Sequence, residues 1–385
     1  MSDDETARWD LATAGLPTPL AVVDLAAFDA NADDLVRRAG GLPIRVASKS
    51  VRCRALIDRV LARPGFAGIM AYAAAEAIWL VEAGHDDVYV AYPTVDRVAL
   101  QRIRSDERLA AQIALTIDSV EHVDFLAGIA GEHPLRVALD IDASLRVGPV
   151  HLGVRRSPLR TPSQATEVAR AAVARGLRVV GAMFYDAQVA GMPDSRVLDI
   201  VKRRSLADLA ERRGPVAAAI RAVPGTEVVF VNGGGTGSLE LVCSDPALTE
   251  LAAGSGLYGP GLFDGYRAFT PGHAAAYAIP VVRRPARGIV TGFSGGYHAS
   301  GPGDQKRLPS LVVQGLSLIG SEGAGEVQTP VRGRATRRMK LGDRIWLRHA
   351  KAGELGERVD AFHLVEGDRV VESVPTYRGE GKNFG

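Results

Sequence analysis

Lysine is scarce in this chain. Of 46 basic residues only six are lysines, namely Lys49, Lys202, Lys306, Lys340, Lys351 and Lys382, so arginine carries nearly all of the positive charge. Arginine cannot form an imine with a carbonyl, and each lysine therefore marks a place where that chemistry is open. Lys202, Lys306 and Lys340 lie in charged stretches and Lys382 in the tail, which leaves Lys49 and Lys351 as candidates. Cysteine is scarcer still. Cys53 and Cys243 are too few for a disulfide framework or a zinc cluster and read as reduced, packed thiols. No apolar run is long enough to span a bilayer, and the polar start Met-Ser-Asp-Asp-Glu-Thr-Ala-Arg does not look like a secretion signal, so the expectation is a cytoplasmic protein without a membrane partner. A net charge near +2 offers no basic field for nucleic acid.

What is present is a regular alternation. At 385 residues and 46% hydrophobic content the chain can bury a large core. Apolar, β-like runs at 44–48, 68–72, 88–92, 113–118, 135–142, 179–185, 228–232 and 251–255 are separated by Ala-, Leu-, Arg- and Glu-rich stretches of helical length. Eight such units predict an α/β fold of the (β/α)8 TIM-barrel type, with an open doubly wound sheet as the competitor. After about Pro271 the pattern changes to short β-like runs broken by Gly and Pro, at 278–283, 311–313, 344–347 and 369–374, which predicts a C-terminal all-β domain. The expected division is an N-terminal segment 1–24, a barrel 25–270 and a β-domain 271–385. The first segment could pack with the β-domain, and 18–24 looks like a strand entering the barrel.

In such a barrel, catalytic groups sit at the C-terminal ends of strands, and a phosphate is often held after strands seven and eight. Lys49, in Arg45-Val46-Ala47-Ser48-Lys49-Ser50, closes the first run. The seventh run leads into Asn232-Gly233-Gly234-Gly235-Thr236-Gly237-Ser238, and the eighth ends in Gly254-Ser255-Gly256-Leu257-Tyr258-Gly259. Glycines let backbone N–H groups approach a dianion, and Thr236, Ser238 and Ser255 can add hydroxyl donors. A lysine facing a phosphate cup suits an aldehyde that carries its own phosphate, and pyridoxal phosphate fits that description. A cofactor-free barrel aldolase using Lys49 on a sugar phosphate stays open beside it.

In this order, the lysine-bearing first strand, Gly-Gly-Gly-Thr-Gly and Gly-Ser-Gly-Leu-Tyr-Gly resemble the alanine-racemase-type, fold-type III pyridoxal-phosphate enzymes. His349-Ala350-Lys351 and the layout are more similar to the D-threonine aldolase and D-serine dehydratase branch. The resemblance implies that Lys49 binds the cofactor as an imine, that Gly234, Gly235, Thr236, Gly254 and Ser255 form the phosphate cup, and that Tyr185 lies beside the cofactor. The segment Asp140-Ile141-Asp142-Ala143-Ser144-Leu145-Arg146-Val147-Gly148 resembles one that leads an arginine toward the cofactor, with either Arg146 or Arg155 as the counterpart. The implied activity is a lyase acting on β-hydroxy amino acids, of D configuration, by retro-aldol cleavage or dehydration and deamination. A homodimer with composite sites is implied as well.

Two departures shape that expectation. Racemases of this fold place an arginine before the eighth-strand glycine, where it holds the pyridine nitrogen; here the region reads Leu251-Ala252-Ala253-Gly254. A racemase remains the same-fold alternative. A non-catalytic pyridoxal-phosphate carrier is the alternative of another class, and the segment after Pro271 argues against it. In the aldolase and dehydratase branch a second metal ligand follows the histidine by two residues, and here Lys351 stands in that place. An ammonium is not a metal ligand and repels a cation, so a divalent metal is doubtful. His349 is then expected to do acid/base work on the substrate hydroxyl with a pKa near neutrality, and Lys351 to replace the metal's charge. The other histidines, His122 and His273 among them, have no partner at ligand spacing and read as structural or exposed.

Overall fold

The computed structural model describes residues 3–301 and 305–385. Residues 1 and 2 of the expected N-terminal segment and 302–304 of the expected β-domain lie outside the described residues. The chain divides into two compact units. One holds Leu35–Lys49 and Arg59–Gly254, with the last two residues; the other holds the chain up to Asp34, Ser50–Asp58 and Ser255–Asn383.

The first unit is a closed barrel. Its parallel strands are Ile44–Ala47, Phe66–Ala71, Val88–Val90, Ile113–Ile117, Arg136–Asp140, Arg178–Phe184, Phe230–Gly233 and Glu250–Ala253, in that order around the ring. Each of the eight runs read from the sequence coincides with one of them. The open-sheet competitor is excluded because Leu251–Ala253 pairs back onto Ile44–Val46. Helices cover the outside and side chains fill the inside, which is why most of these strands are apolar on both faces rather than alternating. Tyr89, Ala114, Ala138, Val180, Met183 and Phe230 pack together, small residues making room for large ones. The buried Tyr89 hydroxyl lies 2.8 Å from Thr116 Oγ1, which also reaches the Val90 carbonyl at 2.7 Å.

Charge is buried toward the N-terminal ends of the barrel strands. Arg45 donates to Glu250 through Nε at 2.7 Å and Nη2 at 2.8 Å, and through Nη1 to the Asp87 carbonyl at 2.8 Å. Asn232 Nδ2 adds a 2.9 Å bond to Glu250. A bidentate pair satisfied on both sides is the form in which a barrel interior tolerates ions.

The second unit is built on a nine-stranded sheet. Leu20–Asp24 lies inside it, antiparallel to the start of Ala275–Ala286 and parallel to Ala361–Glu366. The segment 18–24 is therefore a strand of this sheet and not one entering the barrel. The strand Ala275–Ala286 serves two neighbourhoods. Its first half pairs with Leu20–Val23 and with Arg344–Leu347, and after register shifts its second half pairs with Ile289–Phe293. Trp9, Leu20, Val22, Ala276, Ala278 and Trp346 form the core beneath, the two indoles 5.2 Å apart. The contacts also draw residues 255–270 and the first part of the helix Leu25–Arg38 into this unit. Asn31 shows why: its Nδ2 donates to the carbonyls of Leu257 at 3.0 Å and Gly272 at 2.8 Å, and its Oδ1 accepts from the Gly272 amide at 2.7 Å.

Candidate active site at the barrel mouth

The first strand ends in a 3-10 turn, Ser48–Ser50, that puts Lys49 in the open at the barrel's C-terminal rim. Ser48 goes the other way and donates to the Met70 carbonyl at 3.0 Å. Lys49 Nζ donates to the Tyr92 hydroxyl at 2.5 Å and lies 5.2 Å from that ring's centroid. Tyr92 follows the third strand. Above it sits the Arg156 guanidinium, 5.4 Å from the Tyr92 ring centre and 5.2 Å from that of Tyr185, which follows the sixth strand. Burial pushes the Tyr185 phenol up to about 12, against the opposing pull of Arg156. Asp140, at the end of the fifth strand, is 6% exposed, and burial pushes its carboxyl up to about 7; Arg156 pulls it down while Asp118 and Asp142 add to the rise. Asp118 in turn holds His122, with 2.9 Å between Oδ1 and Nδ1, and raises that imidazole's pKa.

Sequence reasoning left Arg146 and Arg155 as the candidate arginines, and neither is the arginine that stacks on Tyr92 and Tyr185. Arg146 lies on the hairpin formed by Leu145–Val147 and Val150–Leu152 and donates to Asp142 Oδ2 at 2.6 Å. Asp142 is already well supplied, by the Ser144 amide at 2.9 Å and Arg160 Nη1 at 3.2 Å. Arg155 is exposed, and the next residue, Arg156, takes the place over the tyrosines. Tyr92 was missed as well. Its signal was available, since it closes the third run as Lys49 closes the first. Nothing local distinguishes Arg156 from Arg155.

The loop after the seventh strand packs against Tyr185. A Cβ at Gly235 would lie 3.7 Å from Tyr185 Cε2 and only 2.9 Å from Ala190 Cβ. The Gly235 amide donates to Ser238 Oγ at 3.2 Å, and the Thr236 carbonyl accepts from Arg38 Nη2 at 2.6 Å while Arg38 Nε holds Glu240 at 2.8 Å. Gly234 has φ +73°, and a Cβ there would meet Val242 Cγ2 at 3.0 Å. The fold itself requires that glycine, so a side chain at 234 would strain the loop whether or not a ligand is bound. Gly254 is buried at the end of the eighth strand, and Ser255 opens the turn Ser255–Leu257. The eighth strand separates the Gly233–Ser238 loop from the Lys49 strand, a displacement of about 10 Å at the usual strand spacing. An exposed amine, a tyrosine wall carrying a guanidinium and a backbone loop two strands away fit an aldehyde joined to a phosphate.

His349 and Lys351 belong to the other unit, just past the strand Arg344–Arg348. His349 is 3% exposed, stands edge-on to Tyr258 at 6.1 Å, and neither ring nitrogen has a hydrogen-bond partner. Burial, helped by Arg348 and His273, pushes it down to about 3. The expected near-neutral titration is thereby corrected: desolvation without a carboxylate keeps this imidazole neutral. Lys351 Nζ donates to Ser300 Oγ at 2.7 Å, and the Ser300 amide donates to Glu354 Oε1 at 3.0 Å. Among the described residues, no group of three His, Cys, Asp or Glu side chains is arranged to hold a metal ion.

Known proteins share this architecture. D-threonine aldolase from Arthrobacter sp is 27% identical over 263 residues, and the match spans 66% of this chain and 66% of that one. The crystal structure of D-threonine aldolase from Filomicrobium marinum superposes with a TM-score of 0.80 at 23% identity, covering 94% of this chain and 96% of that one. D-threo-3-hydroxyaspartate dehydratase from Delftia sp. HT23 follows with a TM-score of 0.75 at 21% identity, covering 95% and 98%. The family model described as alanine racemase, N-terminal domain, matches residues 23–260, well over half of the chain, and the chain belongs to that family.

Proposed function

We propose that this protein is a pyridoxal-phosphate-dependent lyase acting on β-hydroxy amino acids of D configuration, by retro-aldol cleavage or by dehydration and deamination. The observation that carries the reading is the Lys49 amine, presented at the end of the first barrel strand against Tyr92 and under the Arg156 and Tyr185 wall. The aldolase and dehydratase names of the similar proteins support the reaction class. When bound, pyridoxal phosphate supplies an aldehyde for amino groups and an electron sink for the bond at the α-carbon.

The chain's own groups supply the rest. Lys49 would hold the aldehyde end of the cofactor, and its amine is placed to move a proton at the substrate's α-carbon. The Tyr92 hydroxyl orients that amine. Arg156, stacked on two rings, brings a fixed positive charge to the mouth and orients anionic groups there. Gly234, Gly235 and Thr236 offer backbone to the phosphate, with Gly254 and Ser255 completing the cup. Resemblance rather than distance assigns the substrate hydroxyl to His349 and Lys351. The imidazole, kept neutral by burial, accepts a hydrogen bond from the hydroxyl, and the ammonium holds the developing alkoxide. An imidazole and an ammonium two residues apart do not fit a divalent cation, so no step is routed through one.

Borohydride reduction of the purified yellow protein followed by peptide mapping tests the cofactor assignment, and the label is expected on Lys49; a label on Lys351 would overturn it. Incubation with D- and L-threonine and D- and L-serine tests the reaction. Aldehyde or keto acid from the D-enantiomers is expected, and mere interconversion of enantiomers would make the protein a racemase. The homodimer with composite sites is part of the same reading. Mixing Lys49→Ala chains with His349→Ala chains is expected to restore part of the activity.

A further inference from the structure

Arg156 rides on a long connection with little structure of its own. Between the fifth strand and the helix Pro162–Ala174, only the hairpin of Leu145–Val147 and Val150–Leu152 is regular, and its tip is half exposed at Val147 and Val150. A connection of this length keeps one shape only where something other than packing at its tip holds it. The base is what is tied. The Asp142 amide donates to the Leu159 carbonyl at 2.7 Å, and Ser157, next to Arg156, donates its hydroxyl to the Asp140 carbonyl at 2.5 Å while accepting from the Leu159 amide at 3.0 Å. Gln188 Nε2 donates to the Ala143 carbonyl at 2.7 Å.

A closed circuit of charges surrounds that base. Arg160 Nη1 donates to Asp142 Oδ2 at 3.2 Å and to the Ser144 carbonyl at 2.8 Å, and its Nη2 donates to the two oxygens of Asp208 at 3.1 and 3.2 Å. Asp208 also accepts from Arg212 Nε at 2.9 Å and Nη2 at 2.7 Å, and Arg212 Nη1 closes the circuit on the Asp142 carbonyl at 3.0 Å. Asp208 and Arg212 stand one turn apart on the helix Arg196–Arg221. Arg146 reaches Asp142 from outside, but its side chain is 45% exposed against 17% for Arg160, and exposed ion pairs contribute little. Arg160 is the member that joins loop to helix, and a guanidinium can span both because its donors form a rigid fork.

We propose that Arg160 and Asp208 are positioning residues: by tying Asp142 and the Ser144 carbonyl to the helix Arg196–Arg221 they close the base of the 143–159 loop and hold Arg156 over Tyr92 and Tyr185, where it orients anionic groups of the substrate. The inference rests on the lyase reading for what Arg156 does there. Arg160 and Asp208 act through Arg156 and not on the substrate. Opening the circuit therefore loosens the loop and weakens substrate binding together.

Hydrogen exchange and a double-mutant cycle on the full chain test it. In Asp208→Asn, amide exchange in peptides covering 143–159 is expected to quicken by about tenfold or more while the first barrel strand, Ile44–Ala47, exchanges as in the parent. With D-threonine as substrate the same variant is expected to lose about fivefold in kcat/KM, chiefly through KM, and to lose nothing further where Arg156→Ala is already present. Arg160→Lys, which keeps the charge without the fork, keeps the experiment decisive where Asp208→Asn fails to fold. Unchanged exchange in the loop would overturn the proposal, as would faster exchange across the whole barrel, which marks general loosening. An equal loss of kcat/KM with and without the Arg156 side chain would overturn it too. A parent that turns over neither D-threonine nor D-serine would sink the lyase reading instead, and the exchange arm would still decide whether the circuit holds the loop.

Discussion

Arg45 in the barrel and His349 in the strand-rich unit are buried in opposite ways. In the barrel, Arg45 meets Glu250 from the neighbouring strand in a bidentate pair, and Asp140 lies within the field of Arg156. In the other unit His349 is as deeply buried but has no partner on either ring nitrogen, and it stays neutral down to about pH 3. Adjacent parallel strands bring side chains of like height together, so Arg45 and Glu250 meet within the barrel. A residue just past a strand end, packed against an aromatic ring, loses its charge to desolvation instead. The contrast separates a buried ion kept charged by its partner from a buried imidazole kept neutral for want of one.

The largest expected effect tests the barrel's rim. Lys49→Ala should lower turnover by about 10²–10⁴-fold, the range a positioned proton-transfer group contributes, without loss of folded structure because the side chain is exposed. Turnover and far-ultraviolet circular dichroism on the same sample check both halves. Beneath the rim, Arg45→Met leaves Glu250 buried and unpaired, and should cost about 3–5 kcal/mol in urea unfolding. Removing both charges with Arg45→Met and Glu250→Leu should recover most of that loss. If the single variant is as stable as the parent, the pairing does not matter to the fold.

Acid and base sharpen the comparison, because the two buried groups carry opposite slopes. His349 falls from 6.5 to about 3 on folding, so the unfolded chain takes up the proton first; its contribution is present above pH 6.5 and is lost as pH falls toward 3. Asp140 rises from 3.8 to about 7, so the folded chain keeps a proton that the unfolded chain releases; its contribution is full below pH 3.8 and is lost as pH rises through 7. Each is on the order of a few kcal/mol. Urea midpoints across this window should lose the acid limb in His349→Gln and the neutral limb in Asp140→Asn. The smallest contrast is between two arginines. Arg156→Ala should cost about tenfold or more in kcat/KM, the scale of one charged hydrogen bond, whereas Arg146→Ala, whose charge is committed to Asp142 away from the tyrosines, should stay within about twofold.

Much of this was legible in the chain. Eight apolar runs with helical spacers predict a closed ring because each run is a local object, four to eight residues long, and its pattern shows without knowledge of its neighbours. The strands Ile289–Phe293, Gln328–Gly333 and Ala361–Glu366 escaped notice, being short, interrupted by glycine or proline, or mixed with polar residues. Leu20–Asp24 was visible as a strand but not as to its sheet. Five fully buried residues read alike whichever sheet they join, and only pairing with Ala275–Ala278 and Phe362–Val365 decided it.

At the site the division follows the same line. Scarcity singled out Lys49, and composition singled out the Gly233–Ser238 loop, since an amine and a run of glycines declare their chemistry residue by residue. Tertiary structure alone set Arg156 over Tyr92 and Tyr185, tied Arg146 to Asp142 and put Val242 beneath Gly234. It also took from His349 the basicity its type implies. Each of these depends on which groups, tens or hundreds of residues apart, share one desolvated space. A sequence states a side chain's intrinsic pKa and reach, while its field and its partners come only from the fold that surrounds it.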